Sequence, residues 1–192
     1  MGLWKKWLTI TLSYLSGSSI LELGFGPGHL QELMSENGMV GVGLDESRQM
    51  TYLARGRLIE AGHTPKLVQA IGEAIPFHEG AFDQVVTTFP AEFITHPDTL
   101  KDIHRVLKQD GELIILRFAW LSDRLWPYML MSWLFRLVGE APNKKHPIQL
   151  DRLSAPFQKA GFSVKFEHVD LDSSGMILLM CKKNDGASTF HT

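Results

Sequence analysis

The stretch ELGFGPGHL, residues 22–30, decides the fold of this chain. It places glycines at the alternate positions Gly24, Gly26 and Gly28, directly behind the apolar run 19–23. Because repeated glycine costs backbone entropy, this pattern indicates that a ligand approaches the backbone closely. A strand that ends in such a loop and runs into a helix presents free amides at the helix N-terminus, where an anionic group is stabilised. The stretch therefore predicts a strand, a loop that binds a nucleotide-like ligand, and a helix.

The spacing of the glycines distinguishes between nucleotide ligands. Dinucleotide enzymes usually carry G-x-G-x-x-G, whose third glycine would fall at His29 in this chain. This mismatch, with the lack of a Tyr-x-x-x-Lys pair in the sequence, disfavours an NAD-linked oxidoreductase. Asp45 ends the second predicted strand, where a carboxylate can accept two hydrogen bonds from a ribose diol. Asp45 or Ser47 could equally cap the next helix, so the joint spacing is what predicts one pocket.

Short β-branched runs alternate with amphipathic segments from Ser19 onward, which is typical of βα units and a parallel sheet. The predicted strands are 19–23, 39–44, 66–71, 82–89, 112–118, 162–170 and 176–183. The predicted helices are 29–37, 47–62, 97–111 and 151–161, the last broken or begun near Pro156. The last two strands have only a short connection between them, so they are expected to pair antiparallel.

The length and composition of the chain exclude several classes of function. A chain of 192 residues suits one α/β domain spanning 1–192. Nineteen Lys and Arg against twenty-one Asp and Glu give a formal charge of −2, which excludes the basic footprint of a dedicated nucleic-acid binder. The single Cys181 excludes an intrachain disulfide framework, and the eight histidines show no metal-ligand spacing, so no metal is predicted. A reducing, cytoplasmic environment fits this composition.

The N-terminal segment 1–18 has two lysines, an apolar stretch and small residues, in the order of a signal peptide. Removal up to Ser18 would leave the first strand as the new terminus, so an N-terminal helix is the better prediction. Its apolar residues share one face at helical spacing: Leu3, Trp4, Trp7, Leu8, Leu12 and Leu15.

Four segments extend the glycine motif in a fixed order: ILELGFGPG (20–28), VGLDESRQM (42–50), AIGEAIPFHEGAFDQVV (70–86) and IHRVLKQDGELIIL (103–116). This ordered set resembles the class I S-adenosylmethionine (SAM)-dependent methyltransferases, in particular the "type 11" group that includes quinone and small-molecule methyltransferases. The resemblance implies SAM as the cofactor. It also implies a Rossmann-like, doubly wound α/β fold with a seven-stranded, mostly parallel sheet whose last strand is antiparallel.

The resemblance also implies which residues bind the methionine and ribose parts of SAM. The methionine end would be held by Glu22 and by the backbone of Gly24, Gly26 and Gly28. The ribose hydroxyls would be bound by Asp45.

The same resemblance places four residues around the adenine. Glu46 and Met50 would lie near the base, and Gly72 and Glu73 would border the ring. One departure stands beside them, because Ile71 occupies the position where many relatives carry an acid that binds the adenine amino group.

The stretch TTFPAEFITHP (87–97) follows the fourth predicted strand and is expected to face the cofactor. The resemblance implies that Thr88 lies beneath the reactive sulfonium. Nucleic-acid amino methyltransferases carry Asn or Asp, two prolines and an aromatic residue here, and the sequence 88–91 lacks that amide or acid. Glu92 and His96 are candidates for polar contact or proton removal. Alternatively, Glu92 is a solvated turn residue and His96 marks the start of the next helix.

The resemblance implies that residues 118–148 are an insertion, at a place that commonly makes a lid over the acceptor. The run 125–138 is almost wholly apolar, but its fourteen residues are too few to span a bilayer, which needs about 20. It could be a buried core helix, an apolar substrate lid, or an interfacial helix. In the last case a membrane surface would be contacted by Trp4, Trp7, Trp126 and Trp133. The tail 184–192 is expected to fray.

These patterns predict a cytoplasmic methyltransferase that acts on an apolar or amphiphilic small-molecule or lipid-like acceptor, with O- or C-methylation favoured. A peripheral contact with the inner face of a membrane fits the tryptophans. The alternative is a non-catalytic SAM-binding or degenerate interaction protein. Ile71 and the absence of an evident base favour this alternative.

Overall fold

The computed structural model describes residues 3–121, 150–171 and 174–184. Most of the apolar insertion, with Trp126 and Trp133, lies outside the described residues, as does the tail from 185. Within the described ranges, no helix is both long and apolar enough to cross a membrane.

Strands and helices alternate along the chain as the sequence predicts. The strands are β1 Ile20–Leu23, β2 Gly41–Asp45, β3 Leu67–Gln69, β4 Phe82–Thr88, β5 Leu107–Leu121, β6 Phe162–Leu171 and β7 Ser174–Lys183. The helices are α1 Leu3–Ser13, α2 His29–Glu36, α3 Arg48–Glu60, α4 Pro97–Val106 and α5 Leu150–Lys159, and a short 3-10 helix covers Glu92–Thr95.

The strands form one seven-stranded sheet in the order β3-β2-β1-β4-β5-β7-β6. Strands β1 to β5 pair in parallel, while β7 pairs antiparallel with both β5 and β6. The predicted Rossmann-like sheet with an antiparallel last strand is therefore confirmed. The strand order reverses between β1 and β4, and ligands of open α/β sheets bind beyond the carboxyl ends of the strands at such a point.

Two apolar clusters cover the two faces of the sheet, because side chains alternate along each strand. On one face, Leu8, Leu12 and Leu15 at the N-terminus pack with Leu30 and Leu33 of α2. On the other face, α4 supplies Leu100, Ile103 and Val106, α5 supplies Phe157, and Ala160 follows directly after α5. Helix α1 is thus fixed to the sheet by a buried leucine stripe.

The boundary between α4 and β5 differs from the prediction. The sequence predicts a helix through 97–111, but α4 ends at Val106 and β5 begins at Leu107. Leu107 is fully buried, has extended backbone angles and pairs with Phe82 of β4. The next residue, Lys108, binds Asp83 with 2.7 Å between Nζ and Oδ1. Pairing with β4 therefore overrides the local helical pattern.

Helix α5 also differs from the prediction, because it continues through Pro156. The sequence predicts a break or a start there, since proline removes a helical hydrogen bond. Phe157 and Ala160 are buried against the sheet beyond the proline, and the Ala160 amide donates to the Pro156 carbonyl at 3.1 Å. Packing of Phe157 against the sheet, directly after Pro156, favours continuation of the helix.

Candidate active site

The three glycines between β1 and α2 all have a left-handed backbone, with φ of 72° at Gly24, 53° at Gly26 and 84° at Gly28. Their surroundings differ. A Cβ on Gly28 would lie 2.7 Å from the Cβ of Ala54, so this glycine lets the loop pack on α3. A Cβ on Gly26 would meet no atom within 4 Å, so the backbone there is open to a ligand. The repeated glycines therefore have two roles: Gly28 allows close packing on α3, and Gly26 keeps the loop backbone accessible.

Asp45 ends β2 directly beside this loop and is 8% exposed. Its Oδ2 accepts a hydrogen bond from the Gly26 amide and its Oδ1 accepts one from the Ser47 amide, both at 2.8 Å. Ser47 is the residue that caps α3, since its hydroxyl accepts from the Met50 amide at 3.3 Å. Each oxygen of Asp45 keeps a further lone pair, so the carboxylate can still accept from a diol.

Glu22 is a second carboxyl group close to the loop, but it is fully buried. Gln31 of α2 donates from Nε2 to Glu22 Oε2 at 2.8 Å. Burial raises the pKa of Glu22 to about 8, and the negative charge of Asp45 adds to the rise, although the Gln31 hydrogen bond opposes it. The carboxyl group therefore holds its proton at neutral pH in the free protein.

Arg57 is a site residue that the sequence reasoning missed. Its Nε donates to the Pro27 carbonyl at 2.9 Å, and its Nη1 lies 3.1 Å from Glu32 Oε2. Arg57 lies three residues after Ala54 on α3, so both fall on the helix face that meets the loop. In the sequence, the role of Arg57 is indicated only by its three-residue spacing from Ala54, and that spacing is informative only once the packing of α3 on the loop is known. Arg57 is a positioning residue for the loop.

The loop after β3 is held against α4 at Gly72. A Cβ on Gly72 would lie 3.1 Å from Cγ2 of Thr99 and 3.3 Å from the ring of Phe93. The same Phe93 ring lies 3.4 Å from where a Cβ of Gly24 would stand, so it connects the two loops. Ile71 is 48% exposed beside them, and its side chain offers no hydrogen-bonding group to a ligand.

A pair of charged residues on α4 fixes the rest of this loop. Asp102 accepts a hydrogen bond from the Ile75 amide at 2.6 Å, while Arg105 donates to the carbonyls of Ile75 and Phe77 at 2.8 and 2.6 Å. Arg105 also contacts Asp102 directly, with 2.9 Å between Nε and Oδ1. The loop therefore has a defined position before any ligand binds.

The other residues predicted around the adenine lie at the ends of neighbouring elements. Glu46 is exposed and follows β2, with its carbonyl accepting from Gln69 Nε2 at 3.2 Å. Met50 is partly buried in the first turn of α3, and Glu73 is partly buried in the loop after β3. Their contact with an adenine stays a prediction.

The carboxyl end of β4 carries a strained residue. Thr88 is the last residue of the strand, and Phe89 follows with φ of 50°, a left-handed conformation that costs a bulky residue on the order of 1–3 kcal/mol. The Phe89 amide donates to the Leu116 carbonyl at 2.8 Å, which holds the turn in place. Val86 lies opposite Glu22 of β1, so extending this register by two residues puts Thr88 level with Gly24.

Glu92 and His96 lie in the turn beyond this point, and both are exposed. Glu92 begins the 3-10 helix, and its carbonyl accepts from the Thr95 hydroxyl at 2.9 Å. His96 is the N-cap residue of α4, with Nδ1 3.9 Å from Asp98 Oδ2. The structure therefore places both on one short segment, and their role in proton transfer stays a prediction. In the described part of the chain, no three His, Cys, Asp or Glu side chains form a group that could hold a metal ion.

Three features define a nucleotide-binding α/β protein: the reversal of strand order between β1 and β4, the open glycine loop, and the acid at the end of β2. Comparison with known proteins is more specific. A family model described as a methyltransferase domain matches residues 21–115. The chain is 30% identical over 183 residues to a ubiquinone/menaquinone biosynthesis C-methyltransferase UbiE of Xylella fastidiosa, covering 83% of this chain and 71% of that protein. The protein belongs to the class I SAM-dependent methyltransferases.

Further relatives support this assignment. A protein of the same name from Methylococcus capsulatus is 28% identical over 193 residues, covering 88% of this chain and 76% of that protein. With others of this name, the match spans about half of the relative. A solved SAM-dependent methyltransferase from Methanosarcina mazei has the same fold, with a TM-score of 0.63 and 18% identity over 91% of this chain and 96% of that chain. The predicted class, cofactor and transfer to a small-molecule acceptor are confirmed.

The observed residues fit SAM chemically. SAM supplies a methyl group on a positively charged sulfur, together with a ribose diol and an amino-acid end. The open backbone at Gly26 can approach the amino-acid end, and Asp45 offers free lone pairs for the diol. The buried acid Glu22 lies between the loop and α2, where it favours positive charge nearby when it ionises.

Proposed function

We propose that the protein transfers the methyl group of SAM to a ring carbon of an apolar, quinone-like acceptor. The observation that carries this proposal is the match to proteins named as quinone-biosynthesis C-methyltransferases over 71% and 76% of their length. Those matches extend well beyond residues 21–115, which the methyltransferase family model covers. The chemistry of the site beyond β4 agrees with an apolar acceptor, because Phe89, Pro90 and Ala91 directly follow the strand.

The geometry of the loops supports the following cofactor roles. The backbone around Gly26 would hold the amino-acid end of SAM, and Asp45 would accept hydrogen bonds from the ribose hydroxyls while it fixes the loop through the Gly26 amide. Gly72 and Ile71 border the adenine, whose recognition then depends on backbone groups and apolar contact. Thr88, the last residue of β4, would lie below the reacting centre.

Alignment and exclusion of water are the protein's main contributions to such a transfer. Orientation of two reactants is worth roughly 7 to 11 kcal/mol, so the reaction can proceed without a strong acid or base. A ring carbon that gains a methyl group gives up a proton, and the exposed Glu92 and His96 are the polar side chains of the nearby turn that could accept it.

The proposal is tested with purified protein, SAM carrying an isotope-labelled methyl group, and two acceptors. One acceptor is a reduced 1,4-naphthoquinone with a short isoprenoid tail, and the other is a catechol without a tail. We expect a new methyl group on a ring carbon of the naphthoquinol, identified by mass spectrometry and NMR. Transfer to the catechol alone would contradict the proposal.

Asp45→Ala is the control for loss of cofactor. This variant is expected to lose transfer to every acceptor, because the ribose loses a charged partner worth about 1.5–3 kcal/mol and the glycine loop loses its tie. If the wild-type protein binds SAM by calorimetry but methylates neither acceptor, the non-catalytic alternative is supported instead.

A further inference from the structure

Helix α1 brings two indole rings to the strained residue at the end of β4. The Trp4 ring stacks on the Phe89 ring, with centroids 4.7 Å apart and an angle of 24° between the planes. Trp7 approaches the same ring at 5.9 Å, and it meets Trp4 edge to face at 6.4 Å. We call these three residues, Trp4, Trp7 and Phe89, the aromatic wall.

The position of the aromatic wall is fixed by polar and apolar contacts. Trp7 donates from Nε1 to the hydroxyl of Ser174, at the start of β7, over 3.2 Å. Leu8 and Leu12, one and two turns after Trp4, are buried on the sheet, as is Leu15 just beyond the end of α1. Trp4 nevertheless remains 43% exposed, so part of its ring surface is available to a ligand.

The aromatic wall lies on the opposite side of the site from the adenine loops. Phe89 and Trp7 pack against the cluster formed by α1 and α2, whereas Phe93, beside Gly24 and Gly72, packs against the cluster formed by α4. The two sides flank the carboxyl ends of β1 and β4, where Thr88 lies level with Gly24. A cofactor bound between the glycine loop and the loop after β3 would therefore not cover the aromatic wall, which stays accessible to the methyl acceptor.

A flat ring is the ligand that such a wall suits. Aromatic side chains pair with flat rings in offset stacks at centroid distances of 4.5–7 Å, which adds about 0.5–1.5 kcal/mol to the burial of apolar area. The left-handed backbone of Phe89 also points to function, because strained residues persist where the surrounding structure holds them for a purpose.

We propose that Trp4 determines acceptor specificity, and that the planar ring of the acceptor stacks on the exposed part of the Trp4 indole, which Phe89 supports from behind. This inference rests on the proposed function and deepens it by naming the surface that selects a flat apolar ring. Because more than half of Trp4 is covered and its face is turned to Phe89, stacking with a small molecule fits better than insertion into a membrane.

The test compares Trp4→Leu and Trp4→Phe with Tyr52→Leu, a matched control at an aromatic residue of α3 that is 78% exposed. Leucine keeps an apolar side chain but removes the flat ring, so we expect the KM for the short-tailed naphthoquinol to rise about tenfold, equivalent to about 1.4 kcal/mol. The dissociation constant of SAM and kcat are expected to change less than twofold. Trp4→Phe should retain most of the affinity, and Tyr52→Leu should match the wild type.

The outcomes separate the two proposals. If the wild-type protein does not methylate the naphthoquinol, the proposed function is wrong. If the wild type is active and Trp4→Leu keeps the wild-type KM, only the role of Trp4 is wrong. Binding to vesicles of anionic phospholipid is measured in parallel. A Trp4→Leu variant that loses vesicle binding, but keeps its KM for the soluble acceptor, would assign the ring to a membrane contact and overturn the inference.

Discussion

Two carboxyl groups that the sequence assigns to one pocket have different surroundings in the folded protein. Asp45 accepts hydrogen bonds from two backbone amides at 2.8 Å. Glu22 is buried and accepts a single hydrogen bond from Gln31, so burial dominates and raises its pKa to about 8. The two groups therefore act on different elements: Asp45 fixes the glycine loop to the end of β2, whereas Glu22 is bound by Gln31 of α2.

The raised pKa of Glu22 predicts a pH-dependent stability. The unfolded chain loses this proton near pH 4.5, while the folded protein keeps it up to about pH 8. The folded state then binds more protons over this interval, so the contribution of Glu22 is complete below pH 4.5 and falls by at most about 1.4 kcal/mol per pH unit up to pH 8. In Glu22→Gln, whose amide oxygen can still accept from Gln31, this fall is absent.

Urea unfolding of the cofactor-free protein between pH 5 and pH 8 measures this difference. We expect the free energy of unfolding of Glu22→Gln, relative to that of the wild type, to increase as the pH rises. A constant difference across the range would show that Glu22 titrates normally in the folded state.

Residue-scale prediction from the sequence succeeds where a motif fixes the backbone and fails where distant packing decides. The place of Asp45 at the end of β2 follows from the motif, but its bond to the Gly26 amide depends on how the loop folds back. The left-handed backbone of Phe89 could not be predicted, because a bulky side chain disfavours it and contacts with Leu116 and α1 impose it.

At the scale of elements, the glycine loop and α3 form one unit. The loop meets α3 at Ala54, which lies 2.7 Å from the position of a Cβ on Gly28, and at Arg57, which binds the Pro27 carbonyl. A helix that contacts the loop so closely limits the conformations available to it before the cofactor binds. Preorganisation of this kind lowers the cost of binding.

Arg57→Met is expected to weaken SAM binding with little change in melting temperature. Methionine keeps most of the apolar stem but loses the hydrogen bond to Pro27 and the ion pair with Glu32. Solvent partly screens this ion pair, because the two side chains are 34% and 26% exposed. We expect a loss of about 1 kcal/mol, or roughly fivefold in the dissociation constant. Calorimetric titration with SAM measures it.

Arg55→Met is the matched control for this variant, since Arg55 is an exposed arginine on the same helix. Equal SAM affinities for the two variants would mean that the effect comes from the net charge of α3 and not from the tie to the loop.

Element boundaries show why local pattern is an incomplete guide. The segment 97–111 has helical periodicity throughout, but the pairing of Leu107 with Phe82 and the contact of Lys108 with Asp83 draw its last residues into the sheet. These partners are about 25 residues away in sequence, so a reading of local periodicity does not include them.

At the scale of the whole molecule, stability is expected to fall from the centre of the sheet to its edges. Strand β1 is buried at every position, whereas edge strand β3 has only three residues, none of them fully buried. Strand β6, at the other edge, has only partly buried or exposed positions after Phe162. Local opening follows such differences in burial.

Native-state hydrogen exchange tests this gradient. We expect the amides of β1 and the central part of β4 to exchange only through global unfolding, and those of β3 and β6 to exchange through smaller openings. Uniform protection across the sheet would show that the molecule opens as one cooperative unit.

The number of strands and the antiparallel last strand follow from the sequence, because each alternation of pattern adds one unit to a parallel sheet and a short connection reverses the last strand. The position of α1 does not follow in the same way. Its leucine stripe predicts burial, but the contact of Trp4 with Phe89 depends on where the helix crosses the sheet.

The placement of α1 has a consequence for how the protein could diversify. The helix comes before β1 in the chain, so the ring proposed to select the acceptor is encoded upstream of every residue of the cofactor motifs. Exchange of the first sixteen or so residues between homologous genes could then redirect the enzyme to new acceptors, while the coding sequence for the methyl-donor site is inherited unchanged.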